Sequence, residues 1–284
     1  MVVSTDPVAL ALRECTKDWT RDHAVWVLRH LSTMPAELAV YAPCMIKHLH
    51  VTFQLTKEDA QAGDNYALRW SAVKGHLGVL QYLKEGFGLG KEDAQAQKNY
   101  ALKWSAENGH LEVLKYLKEG FGLGKEDAQS ENTYALRWSA MNGHLEVLKY
   151  LKEGFGLGKE DAQSENNYAL VWSAKNGHFE VVKYLKEGFG LGKEDAQAQK
   201  NYALKWSAEY GYLDVVKYLK EGFGLGKEDA QSGDNYALKL SAWNGHLEVL
   251  QYLKEGYGLG KEAVRELCGP HLFSSLKRKL CTLE

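Results

Sequence analysis

Proline is scarce in this chain: four in 284 residues, with none between Pro43 and Pro270. Cysteine is as rare, and Cys15, Cys44, Cys268 and Cys281 all lie near the two ends. A small secreted scaffold would spread its cysteines through its body, and these spacings suit no zinc site. A reducing, intracellular and cytoplasmic setting without metal or cofactor is therefore expected. Charge of one sign is also missing, since 35 Lys and Arg face 37 Asp and Glu for a formal charge of -2. That near balance lacks the basic footprint that nucleic acid or an anionic membrane requires. No apolar run approaches the roughly 18 residues of a membrane span. Asp6, Arg13 and Glu14 interrupt the stretch a signal peptide would need to be apolar, so secretion is not expected. What is present is a 45% hydrophobic content, enough to bury a substantial core.

The organising feature is an internal repeat. Tyr66, Tyr100, Tyr134, Tyr168, Tyr202 and Tyr236 recur 34 residues apart, and six near-identical copies fill Leu55 to Gly258. A fixed period of this length marks a solenoid, in which each copy buries its apolar side only against its neighbours. Residues 1–54 precede the array as an expected N-terminal helical cap, and residues 259–284 follow it as a C-terminal capping half-repeat.

In the copy Leu89 to Gly122, the segment Tyr100 to Ala106 reads as a short first helix, with Asn99 as N-cap and Gly109 as a left-handed stop. A second helix is predicted over Leu111 to Glu119. Leu111, Val113, Leu114 and Leu117 form its buried side, and Glu112 and Lys115 pair on its wet side. The linker carries Gly90-Lys91-Glu92-Asp93-Ala94, an acid-rich start that favours a short helical turn over a β-hairpin.

Two helical repeats share this length. The tetratricopeptide pattern wants a proline near each repeat end, which is absent. The segment Asn108-Gly109-His110-Leu111-Glu112-Val113-Leu114-Lys115-Tyr116-Leu117 instead resembles the ankyrin signature G-H-x-E-V-V-K-x-L-L. Tyr100 to Ala106 stands where that family has T-P-L-H-x-A-A, with the Leu and the final Ala matching. The family's D-x-x-G hairpin signal is missing. The chain thus resembles ankyrin arrays of the kind seen in large DNA viruses and protists. The resemblance implies an all-α, curved solenoid of paired antiparallel helices, with short helical turns in place of the β-hairpin fingers. It also implies a non-catalytic scaffold that binds a protein partner along its concave side.

In register with the array, Met45-Ile46, Leu49 and Phe53 fall where Val79-Leu80, Leu83 and Phe87 fall, so Arg21 to Gln54 reads as a degenerate repeat. Met34-Pro35-Ala36-Glu37-Leu38 resembles the start of an F-box. The alternative reading it raises is a substrate adaptor of a ubiquitin ligase.

Several motifs invite chemical readings. Gly86-Phe87-Gly88-Leu89-Gly90-Lys91 is one residue short of a phosphate loop, and Glu92 replaces the magnesium-binding hydroxyl. The ladder His76, His110, His144, His178 and His246 suggests metal, yet neighbouring helices pack about 10 Å apart, too far for shared coordination. A histidine bonded to backbone at a helix turn is the simpler reading. Trp70, Trp104, Trp138, Trp172 and Trp206 form a second ladder, and Leu240 in the sixth copy favours buried packing over base stacking. No nucleophile–base constellation stands out, and the repeated Glu-Asp reads as a surface pattern.

Differences between copies concentrate in two places. The pair before Asn-Tyr varies, as in Gln97-Lys98 against Gly63-Asp64. On the first helix the varying positions lie four apart, on one face: Arg69 and Val73, Lys103 and Glu107, Arg137 and Met141, Val171 and Lys175, Lys205 and Glu209, Lys239 and Trp243. Tyr210 varies beside them. The resemblance makes this strip, with Lys98, the expected contact surface for a protein partner. No nucleic acid, membrane or small-molecule substrate is expected.

Overall fold

The structure is a computed structural model that describes residues 7–30 and 41–259. The F-box-like segment Met34 to Leu38 and the C-terminal half-repeat beyond Leu259 lie outside the described residues. Contacts group the chain into two compact units, Met1–Ala135 with Glu153–Gly156, and Leu136–Lys152 with Leu157–Glu284.

In the first unit, α1 (Pro7–Cys15), α2 (Arg21–Arg29) and α3 (Ala42–Phe53) precede the repeats. Next come α4 (Lys57–Val73), α5 (Leu77–Glu85), α6 (Lys91–Ala94), α7 (Ala96–Glu107), α8 (Leu111–Glu119) and α9 (Lys125–Ala128). Helix α10 (Ser130–Met141) leads into the second unit, which holds α11 (Leu145–Glu153), α12 (Lys159–Ala162), α13 (Ser164–Lys175) and α14 (Phe179–Glu187). It continues with α15 (Lys193–Ala196), α16 (Ala198–Glu209), α17 (Leu213–Glu221), α18 (Lys227–Trp243) and α19 (Leu247–Glu255). Among the described residues there is no strand, so the expected helical turns replace hairpins.

Within each unit the helices form two layers. First helices pack on first helices, α4 on α7 and α13 on α16 on α18, while α14, α17 and α19 make the second row. The second helix of each copy buries one side by its spacing: Val113, Leu114 and Leu117 are at most 1% exposed. Leu111, expected among them, is only half-buried. On the first helix Leu102, Ser105 and Ala106 are fully buried, the two small residues letting the layers approach. A buried leucine of this kind contributes about 1.5–3 kcal/mol, and every copy repeats the set.

The linker turn clamps one copy to the next. Asp93 accepts the Gly90 amide at 2.8 Å and the Gln61 side-chain amide of the preceding copy at 2.7 Å, with Lys57 Nζ 3.6 Å away. In the second unit Asp195 repeats this with Gly192 (2.8 Å), Gln163 (2.6 Å) and Lys159 (3.7 Å). The surface reading of the Glu-Asp pair therefore holds for Glu92 alone. Asp93, Asp127, Asp161, Asp195 and Asp229 are buried by contacts between copies, which a single copy does not reveal.

A second correction concerns the start of the first helix. Gln97, Lys98 and Asn99 all adopt left-handed dihedrals, φ 54°, 56° and 59°, as do the matching triplets in the other copies. An N-cap needs extended backbone, so Asn99 does not cap. Its side-chain oxygen is buried and accepts no hydrogen bond from the described residues. The varying pair before Asn-Tyr thus occupies backbone that Gly, Asn and Asp adopt at least cost. That accounts for Gly63-Asp64, Asn132, Asn166 and Gly233-Asp234 at those sites.

Candidate functional site

The first-helix face carries an aromatic run that the sequence pattern hid. Tyr100, Tyr134 and Tyr168 each sit one turn before the tryptophan of their own helix and against that of the preceding copy. In the first unit Tyr66, Trp70, Tyr100, Trp104 and Tyr134 follow one another with ring centroids 5.5–6.5 Å apart. In the second unit Trp138 meets Tyr168 at 6.2 Å, Tyr168 meets Trp172 at 5.3 Å, and Trp172 meets Trp206 at 5.3 Å. The tryptophans are half-buried, not core residues. The signal that could have exposed this run is the four-residue spacing of Tyr and Trp on every first helix that carries the tryptophan.

Cations of the varying strip lie on these rings. The Arg69 guanidinium is 5.0 Å from the Tyr100 centroid, and Arg137 is 5.2 Å from Tyr168. Lys175 Nζ stands 4.1 Å from Trp172, 4.8 Å from Trp206 and 5.9 Å from Tyr210. Such contacts contribute about 0.5–1 kcal/mol each at exposed sites.

The expected contact residues separate by burial. Val171 is fully buried, and Val73, Lys103 and Lys205 are nearly so, so their apolar bodies belong to the packing between copies. Lys103 reaches Glu131 of the next copy, joined there by Lys98 at 3.6 Å. Glu107 accepts the Tyr134 hydroxyl at 2.6 Å, and Met141 receives the Tyr168 hydroxyl at its sulfur, 3.6 Å away. Lys239 bonds Asp234, and Glu209 is half-buried with its carbonyl accepting Asn244 at 2.9 Å. By contrast Tyr210 is 47% and Trp243 73% exposed. Tyr202 and Tyr236, which the variation between copies did not mark because tyrosine is constant there, are exposed as well.

The other candidate motifs resolve into structure. The amides of Gly86, Gly88 and Leu89 donate to Tyr82, Lys84 and Leu83, and the Gly90 amide to Asp93. Four of the amides a phosphate loop would offer are thus taken by acceptors within the chain. His110 Nε2 lies 2.9 Å from the Val73 carbonyl, the backbone-bonded role expected for the ladder. Among the described residues no group of three or more His, Cys, Asp or Glu side chains converges as a metal site. Nor is any described helix long and apolar enough to cross a membrane.

Paired helices, joined by capped turns and stacked through histidine and aspartate contacts between copies, define a helical repeat protein. The family described as "Ankyrin repeats (3 copies)" matches residues 102–195 and 170–263, and the chain belongs to the ankyrin-repeat family. A solved ankyrin repeat family protein from Legionella pneumophila is similar at 23% identity, over 89% of this chain and 86% of that chain, with a TM-score of 0.40. No curated protein matches the sequence.

Proposed function

We propose that this ankyrin-repeat chain is a non-catalytic scaffold that binds a protein partner through the first-helix face of its second unit, the side that is concave in the family it resembles. One observation carries the reading. Every large apolar side chain exposed among the described residues of that unit, Tyr202, Tyr210, Tyr236 and Trp243, lies on or at the end of a first helix, and none lies on a second helix. Tyrosine and tryptophan are among the residue types that dominate the energetics of protein interfaces.

The test is affinity capture from cell extract with the wild-type chain and a variant carrying Lys175→Glu, Tyr210→Asn and Trp243→Glu. Each replacement is the residue of a sister copy, so the helix tolerates it. A control reverses charge on the second-helix side at Glu146 and Lys149, which pair with each other at 2.6 Å. Partners retained by the control and lost by the strip variant support the proposal. If no captured protein depends on the strip, this face is not the interface.

A further inference from the structure

Lys103 and Lys205 hold equivalent places in two copies whose successors differ. After Lys103, the next copy supplies Glu131, which takes both Lys103 and Lys98. After Lys205, the matching position is Gly233. Lys205 is only 5% exposed, and its ammonium lies 5.7 and 5.8 Å from the rings of Tyr202 and Tyr236. Nζ stands 2.9 Å from the point where a side chain on Gly233 would begin. Asp234, the adjacent carboxylate, is bonded to Lys239 instead. Burial, and secondarily the charge of Lys200, hold the Lys205 ammonium below the usual lysine range, as follows when a buried cation has no counter-charge among the described residues. The array contains, in Glu131, its own example of the group this place accepts.

We infer that Lys200 and Lys205, with Tyr202 and Tyr236 beside them, form a docking site for a carboxylate from an acidic segment of a protein partner. The carboxylate takes the place that Glu131 fills three copies earlier in the array. This rests on the scaffold reading above and names the chemistry of the partner at that face. A buried lysine gains most from a partner's carboxylate because both the desolvation of the cation and the alignment of its neighbours are already in place.

The probe is a fluorescent hexaglutamate peptide with blocked ends, titrated into the full chain at low salt and followed by anisotropy. Gly233→Glu installs the sister carboxylate; its backbone, φ +67°, is close to that of Glu131 at φ 50°, and the lysine tip can move aside. Lys205→Val installs the residue of the fourth copy. Both should weaken binding at least tenfold, while Lys103→Val, whose ammonium is already paired, should leave it unchanged. Glu131→Gly should add a second binding equivalent at Lys98 and Lys103, a gain that misfolding cannot imitate. Wild-type affinity in Gly233→Glu, equal losses in Lys103→Val and Lys205→Val, or unchanged stoichiometry in Glu131→Gly each overturns the site. Tighter binding of a phosphoserine peptide, lost in Lys205→Val, overturns the carboxylate assignment. The titration uses no cellular partner, so its failure leaves strip-dependent capture standing, and a failed capture leaves the titration standing.

Discussion

Nδ1 of His178 stands 2.7 Å from the point where a side chain on Gly143 would begin, and Gly143 itself has φ +79°. The glycine is needed twice, once for its left-handed backbone and once for the imidazole packed against it. Gly190 shares the backbone, φ +79°, but no described residue lies within 4 Å of the point where its side chain would begin. Gly190→Ala should therefore cost about 1–2 kcal/mol, the left-handed penalty alone. Gly143→Ala should cost visibly more, and Gly143→Val more again because a β-branched residue tolerates that region least. Denaturant midpoints of the three variants check this; equal midpoints for the two alanines would remove the histidine from the account.

The same histidine makes stability depend on pH. Burial foremost, and then the charge of His144, hold the His178 imidazole below the ordinary histidine range, while its bond to the Met141 carbonyl opposes them in part. His76 is displaced the same way, again chiefly by burial. A group whose folded pKa is lowered is protonated more readily in the unfolded chain, so stability is complete above about pH 6.5 and falls as pH drops below it. His178→Tyr installs the residue that Tyr212 supplies in the fifth copy, and it should lessen the loss between about pH 7.5 and pH 5.5, the range that brackets an ordinary histidine. An unchanged slope in urea midpoints against pH would show that His178 does not contribute.

The period was legible in the 34-residue recurrence itself, and the paired helices and the wet-side pair Glu112–Lys115, 2.7 Å apart, could be read from one copy because they depend on residues three and four apart. The role of Asp93 could not. Glu92 and Asp93 are equally invariant and equally charged, and only the docking of one copy on the next buries one of them. The left-handed triplet was hidden for a related reason, since Asn99 has the chemistry of an N-cap and nothing in the residue itself announces the left-handed kink it occupies. Variation between copies marked Tyr210 and Trp243, which are exposed, but also Val171, which is not. Variation records where sister residues differ, and a buried site can differ as freely as a wet one when its neighbours accommodate the change.

The tryptophan ladder separates packing from core. Trp206 meets Trp172 at 5.3 Å and carries the Lys175 ammonium at 4.8 Å, yet it is half-buried. Trp206→Leu installs the residue that Leu240 supplies in the sixth copy and should cost about 1–2 kcal/mol, whereas removal of a true core tryptophan costs about 3–5 kcal/mol. The near-ultraviolet circular dichroism of the coupled indole pair should weaken at the same time. A loss in the core range would mean the ladder is buried more completely than its exposure indicates.

Asp195 tests what joins the copies. Its side chain is 7% exposed and accepts the Gly192 amide and the Gln163 side chain, one bond capping its own turn and one reaching the preceding copy. Asp195→Ala leaves both donors unmatched in a dry contact and should cost about 2–4 kcal/mol. Glu194→Ala, one residue earlier and exposed, should change stability by no more than about 0.5 kcal/mol. The double substitution of Gln163 and Asp195 to alanine should cost less than the sum of the two single changes, because each single change strands the partner that the other removes. Strict additivity would show that the two side chains act separately, and the clamp between copies would then rest on the apolar contacts alone.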